Sequence, residues 1–320
     1  MRPDVSVIVP TRNRATLVAR LLRQLAALDD GASYEVIVID EGSSDETPEL
    51  LAGFAERHGF RVVRHDNPVG LPAARNVGLR LAEGDYVAWI DDDDLTAPDR
   101  LVRQLAALRD AGGGWSCAGR VDIDDDLHLI GHMRCPDPTD VLRTILRSNS
   151  LPTAAQGLLV ERALAERVGG NDETFKSAED WEFCIRLAAD RAPHFLDEPL
   201  VGYRTGVASM STNTARMEES IRAVVAKHAD LYRRVGVEPD WASIHESLMA
   251  AELLNSRWRA FRRAGQALRA EPTMHRALRC PLVLIAPRWF AARSAARRIE
   301  HVPPEWVRQA RSWLDAIPAP

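Results

Sequence analysis

Four consecutive carboxylates, Asp91-Asp92-Asp93-Asp94, close the apolar run Tyr86-Val87-Ala88-Trp89-Ile90. Adjacent like charges repel, and a strand that only fills a core does not end this way. A hard divalent cation suits such a cluster, because Mg²⁺ and Mn²⁺ are held by one or two carboxylates together with substrate phosphates. The competing reading is a solvated acidic turn in which Asp94 caps the following helix. Asp91 and Asp93 lie two residues apart, so an extended chain points both the same way, toward one ion.

Four other polar groups sit at comparable places. Asp40-Glu41-Gly42-Ser43-Ser44-Asp45 ends a second apolar run. A carboxylate there can accept hydrogen bonds from a base N–H or a ribose hydroxyl, while Ser44 or Asp45 alone explains a helix cap. In Gly70-Leu71-Pro72-Ala73-Ala74-Arg75-Asn76 a loop opens a helix whose first turn carries Arg75 and Asn76. Arginine near a helix N-terminus suits a diphosphate, and an exposed arginine in a turn is the plainer account. Glu179-Asp180-Trp181 places an acidic pair at a helix start, where it can act as a positioned base or merely complement the helix dipole. Tyr203-Arg204, with Ser209 and Ser211, forms a polar loop after an extended segment. The chain has neither GxGxxG nor GxxxxGK[ST], which argues against a nicotinamide-type Rossmann site and a P-loop.

The elements that must hold these groups read as alternating strand and helix. Val5–Pro10, Glu35–Asp40, Arg61–Arg64 and Tyr86–Ile90 are short, β-branched strand candidates. Between them lie helical patterns: one with Leu17, Leu21, Leu22 and Leu25, one opened by Thr47 and Pro48, and one over Ala73–Ala82. A further helix starts at Thr96 or Pro98. Such alternation predicts a mostly parallel sheet with helices on both faces, and ligands bind at the carboxyl ends of its strands. Val121–Ile130 reads as an antiparallel pair, Gly157–Val160 as a strand, Ala178–Ala189 as a helix, and the chain after about Ala215 as helical.

In this order and at these separations, the motifs resemble the inverting family 2 glycosyltransferases of GT-A fold, over Val5 to about Ser211. The pieces are Val-Ser-Val-Ile-Val-Pro-Thr, the Asp-x-Gly-Ser-Ser-Asp turn, Ala-Arg-Asn ahead of the DxD strand, and Glu-Asp-Trp about 90 residues later. The resemblance implies an α/β GT-A domain over 1–214, with a nucleotide-sugar half near 1–115 and an acceptor half near 116–214. A helical, Arg-rich region over 215–320 would follow. It implies that Pro10, Thr11, Arg12, Asp40 and Glu41 line the base and ribose, with Arg75, Asp91, Asp92 and Arg204 near the nucleotide sugar. Asp93, with Asp91, would hold Mn²⁺ or Mg²⁺. Asp180 would be the base that deprotonates an acceptor hydroxyl, supported by Glu179. The implied donor is a nucleotide-diphosphate sugar, UDP-sugar favoured, and the acceptor a hydroxyl of a saccharide, lipid-linked glycan or natural product. The sequence departs from the family pattern at Glu41, where aspartate is most common, at Arg12, where many members carry an aromatic, and at Val207-Ala208, where histidine is frequent.

Charge bears on partners. The 41 basic and 46 acidic residues give −5, which argues against a general nucleic-acid binder. Residues 251–320 hold thirteen Arg and no Lys against five acids, a net +8, leaving −13 for residues 1–250. The run Cys280–Phe290 beside Arg293, Arg297 and Arg298 reads as a peripheral membrane contact or as a helical subdomain or oligomer contact. No signal-peptide pattern, no span-length apolar run and four scattered cysteines lead us to expect a cytoplasmic protein, soluble or peripheral on the inner membrane face. The rival functions are a nucleotidyltransferase, whose glycine-rich phosphate loop is missing at Thr11-Arg12-Asn13-Arg14, and a catalytically degenerate protein that binds a glycan or a partner.

Overall fold

The computed structural model describes residues 2–28, 31–152, 156–205, 213–253, 255–287 and 302–317. The first half alternates β1 (Val5–Thr11), α1 (Ala15–Ala26), β2 (Tyr34–Asp40), α2 (Thr47–His58), β3 (Arg61–Arg64), α3 (Leu71–Leu81) and β4 (Tyr86–Trp89). Next come β5 (Leu95–Thr96), α4 (Arg100–Asp110), β6 (Trp115–Ile123), β7 (Leu129–Met133), α5 (Val141–Arg147), β8 (Leu158–Glu161), α6 (Arg162–Arg167), α7 (Glu179–Asp190) and β9 (His194–Arg204). The helices α8 (Thr214–Lys227), α9 (Ala229–Val235), α10 (Trp241–Glu252), α11 (Arg257–Ala270), α12 (Met274–Ile285) and α13 (Pro304–Leu314) complete the described chain.

One sheet runs in the order β3-β2-β1-β4-β8-β6-β9-β5, with β7 beside β6. The four strands at the β3 end pair in parallel, as the strand–helix alternation predicts. Beyond β4 the joins turn antiparallel at β8, and β6 and β9 are again parallel, so the whole sheet is mixed. β1 is buried along its whole length, and its pleat sends Val5, Val7 and Val9 to one face and Ile8 to the other. The first face packs on α1, α2 and α4, the second on α3 and α7. Gly78 of α3 is obligatory at this contact: a Cβ there would lie 2.4 Å from a methyl of Ile8.

Two expectations need correction. Thr96 does not start a helix; it pairs in β5 with Val201 of β9, and the helix begins at Arg100. α3 begins at Leu71 rather than Ala73, so Arg75 lies in its second turn and points inward. The helices beyond residue 214 go to three places. α8 and α9 join the main core through Val224, Leu231 and Tyr232. α10, α11 and α12 share a small core of their own. α13 returns to the sheet, where Trp306 and Trp313 cover β6 and β9. No described helix is long and apolar enough to cross a membrane.

Candidate active site

The carboxyl ends of β1, β2 and β4 meet at one rim. The tetra-aspartate leaves β4 as a turn rather than an extended segment, with the Asp94 N–H donating to the Asp91 carbonyl at 3.2 Å. Each carboxylate therefore takes its own direction. Asp92 accepts from the Thr11 hydroxyl at 2.7 Å, and the Arg14 guanidinium bridges Asp92 Oδ1 at 2.8 Å and Asp93 Oδ2 at 2.9 Å. Asp94 is buried and accepts from the Arg204 N–H at 3.0 Å. Asp91 faces the other way, accepting from Arg75 Nη2 at 2.8 Å and from Gln156 Nε2 at 2.5 Å. Burial pushes the Asp92 carboxyl up to about 6 although Arg14 opposes it. Burial and the neighbouring Asp91 raise Asp93 as well. Negative charge is concentrated here beyond what the two facing arginines neutralise.

Arg75 links this rim to α7. It is 2% exposed, and its second nitrogen, Nη1, donates to Glu179 Oε1 at 2.9 Å. Arg75 is therefore not a surface arginine in a turn, and both of its terminal nitrogens are paired with carboxylates. α7 is held under β4 by Phe183, whose ring meets Trp89 edge-on at 5.4 Å, and by Trp181 Nε1, which donates to the Ile145 carbonyl at 2.7 Å. Ala178 just before α7 has φ 59°, a left-handed backbone that a non-glycine residue adopts at a cost. The first turn of α7 presents Glu179 buried and Asp180 partly open. Burial, then the neighbouring Asp180 charge, raises Glu179 to about 7 against the pull of Arg75. Burial also raises Asp180, while Arg75 opposes the shift.

Two cavities flank this link. A smaller one of about 370 Å³ is lined by Pro10, Thr11, Arg12, Arg14, Glu41 and Asp91 to Asp93, among others. A larger one of about 520 Å³ holds Arg75, Gln156, Glu179 and Asp180, and α8 and α10 form part of its wall through Met217, Ile221, Ile244 and Leu248. Leu71 and Asp91 line both cavities.

Asp40 and Arg204, singled out from sequence, line neither cavity, while Arg75, Glu179 and Asp180 line the larger one only. Asp40 Oδ1 accepts from the Ser43 N–H at 2.9 Å and Oδ2 pairs with Arg64 at 3.0 Å, so it braces the turn from behind. Arg204 ends β9, where its Nε donates to the Asp93 carbonyl at 3.2 Å and Nη1 pairs with Asp125 at 3.3 Å. Glu41 lines the cavity while accepting from the Gly70 N–H at 2.8 Å. Val207, Ala208, Ser209 and Ser211 lie outside the described residues, as do Arg293, Arg297 and Arg298. Arg14 and Gln156 were missed as site residues, because their partners lie 78 and 65 positions away in sequence.

The three ligand atoms that converge within 4.8 Å of one another among the described residues belong to Asp124, Asp126 and His128, not to the tetra-aspartate. That group is the β6–β7 turn, where Asp124 accepts from the N–H groups of Asp126 and His128. Its hydrogen bonds are ordinary turn chemistry.

The sequence model of the family described as Glycosyl transferase family 2 matches residues 6–169, just over half the chain. The protein belongs to glycosyltransferase family 2. The matched span runs from β1 to α6 and contains Thr11, Arg14, Glu41, Arg75, the tetra-aspartate and Gln156, while Glu179 and Asp180 lie beyond it. This family 2 glycosyltransferase is 27% identical to the succinoglycan biosynthesis protein ExoO of Rhizobium meliloti (strain 1021), over 82% of this chain and 75% of that one. Among solved structures it resembles S. aureus TarS 1-349 in complex with UDP-GlcNAc, with TM-score 0.57, 18% identity, and coverage of 93% of this chain and 90% of that chain. It also resembles the mannosyltransferase PcManGT from Pyrobaculum calidifontis in complex with GDP-Man and Mn²⁺, with TM-score 0.57, 22% identity, and coverage of 94% and 88%. These likenesses establish the GT-A fold with a helical C-terminal region.

Proposed function

We propose that this family 2 enzyme transfers a sugar, with inversion, from a nucleoside-diphosphate sugar in the smaller cavity to a hydroxyl of an acceptor in the larger one. The observation that carries the reading is the shared wall. Asp91 and Leu71 border both cavities, and Arg75 joins Asp91 to the Glu179–Asp180 turn. A sugar held at that wall has the diphosphate on one side and a carboxylate on the other, as in-line displacement requires.

The smaller cavity supports a divalent cation on charge grounds. Glu41 and three aspartates face Arg12 and Arg14, so a diphosphate entering there meets net negative charge. Asp93 would hold Mn²⁺ or Mg²⁺ together with the phosphates, and Asp91, which borders the same cavity, would join it on turning from Arg75 and Gln156. Such an ion would stabilise the charge that develops on the departing diphosphate. Thr11, Arg12 and Arg14 bind and orient the nucleotide, and UDP is the favoured one. Asp180, partly open to the larger cavity, accepts the proton of the acceptor hydroxyl as its oxygen bonds to the anomeric carbon. The bond from that carbon to the phosphate oxygen breaks, and the nucleoside diphosphate leaves with the electron pair. Arg75 balances the carboxylates on both sides and fixes their separation. α8 and α10, beyond the span matched by the family, shape the acceptor end with Met217, Ile221, Ile244 and Leu248.

Melting curves with UDP and GDP, each with and without Mn²⁺, test the donor side. A diphosphate at about 100 times its dissociation constant adds roughly 2.7 kcal/mol. Stabilisation that requires Mn²⁺ and disappears in Asp93→Ala is expected; equal stabilisation without metal would overturn the metal role. Asp180→Asn should keep donor-dependent stabilisation while transfer falls about 10²–10⁴-fold. Near-normal turnover in that variant would remove Asp180 from the chemistry.

A further inference from the structure

Six of the seven large apolar side chains exposed among the described residues lie on two neighbouring helices: Trp258 and Phe261 on α11, and Met274, Leu278, Leu282 and Ile285 on α12. Their exposures run from 36% at Phe261 to 81% at Met274. The four on α12 recur at helical spacing, one stripe along one side. The other side is already used, since Cys280 and Val283 are buried with Ala260 and Ala264 of α11 and Met249 of α10. A three-residue connection makes α11 and α12 an antiparallel hairpin. It brings Trp258 and Phe261 to the level of Ile285 and Leu282. Exposed Arg257, Arg262 and Arg269 stand on the same hairpin, and the Arg257 guanidinium lies 5.7 Å from the centroid of the Trp258 ring.

What covers this face must offer apolar depth and negative charge together. A second copy of the chain offers the first but sets the exposed Arg257, Arg262 and Arg269 of one hairpin against those of another. An anionic bilayer offers both, with tryptophan, leucine and isoleucine entering the boundary of headgroups and acyl chains and arginines pairing with phosphates. We propose that the α11–α12 hairpin seats the enzyme on an anionic lipid surface. Trp258, Phe261, Met274, Leu278, Leu282 and Ile285 enter the boundary, and Arg257, Arg262 and Arg269 lie among the headgroups. α10 packs against α11 and also contributes Ile244 and Leu248 to the larger cavity, so one helix separates that cavity from the lipid-facing hairpin. The proposal does not depend on the chemistry assigned to that cavity.

The test is cosedimentation of the whole chain with vesicles of phosphatidylcholine, alone or mixed with phosphatidylglycerol. Binding to the anionic vesicles at low salt is expected, with release as salt rises. The triple variant Met274→Ser, Leu278→Ser, Ile285→Ser should bind them at least about tenfold more weakly. Because these side chains are exposed, its melting temperature should match that of the parent. Arg262→Glu with Arg269→Glu should weaken binding by removing the charge while leaving the stripe. Three results would overturn the proposal. The parent fails to bind anionic vesicles at low salt, or the triple variant binds as well as the parent. In the third, the parent sediments as a dimer that the triple variant dissolves, and neither binds vesicles, which assigns the face to a second copy.

Discussion

Arg75 is the residue on which the site's charge balance turns. It has Asp91 on one side and Glu179 on the other, and a guanidinium with rigid, divergent nitrogens is suited to that span. Glu179 rises to about 7 from an ordinary 4.5, so in the fold it keeps its proton until near neutrality. A group whose folded value is raised in this way favours the fold at low pH. Its contribution declines as pH climbs from 4.5 to about 7, because the unfolded carboxylate ionises first. Glu179→Gln should therefore melt with less pH dependence than the parent across that window, as matched melting curves from pH 4.5 to 8 would show. Parallel slopes would mean that Glu179 titrates normally. The nearby Asp180 is raised by burial, so the acid limb of transfer should fall above the usual aspartate value of 3.8. At this scale the sequence was a partial guide. Residue types and order pointed to the tetra-aspartate, Glu41 and the Glu179–Asp180 pair. The direction of each carboxylate was not legible, because period-2 reasoning assumes extended chain and Asp91–Asp94 is a turn. Arg14 was equally hidden: it follows Asn13 at φ 51°, whose backbone N–H donates to the Ser43 hydroxyl and whose Oδ1 accepts from the Ser44 N–H, contacts that no local pattern encodes.

Among the elements, α7 is the one that others depend on. It presents Glu179 and Asp180 at its start and, one turn later, anchors α8 and α9 through Glu182. That side chain is fully buried and contacts Arg186, Lys227 and His228. Burial alone would raise its carboxyl, but His228, Arg186 and Lys227 together pull it down to about 2. The folded value lies below the ordinary 4.5, so the stabilisation is present above pH 4.5 and is lost as pH falls through about 2. Glu182→Gln leaves three basic groups facing a neutral amide and should cost about 3–5 kcal/mol near neutral pH, with the deficit shrinking toward pH 2. Denaturant melts at pH 7 and pH 3 check both statements. Elements that are local in sequence were the legible ones: β1, β2, β3 and the helices between them announced themselves by β-branched runs and leucine spacing. β5 did not, since its two residues are strand only by pairing with Val201 and Gly202, and no local pattern encodes a partner a hundred residues away.

Across the whole molecule, part of the charge asymmetry seen in sequence falls on the α11–α12 hairpin, while α13 answers to a different demand. It closes over β6 and β9 where both strands carry glycine. A Cβ on Gly119 would lie 2.4 Å from the Trp306 ring, and one on Gly202 would lie 3.1 Å from the Trp313 ring. Trp313 Nε1 also donates to the Pro199 carbonyl at 3.0 Å. Gly119→Ala should destabilise the protein by about 1–3 kcal/mol through overpacking, read as a lower melting temperature. Nucleotide binding should be retained, because none of these residues lines the smaller cavity. Loss of both together would tie α13 to the donor side. The seat for the two indole rings is built from strands that come more than a hundred residues earlier. A ribosome making this chain therefore finishes the sheet long before its cover. Through that interval Val121, Leu200 and Val201 face water or whatever chaperone stands at the exit, so the rate of translation beyond β9 sets how long each new molecule is open to capture or aggregation.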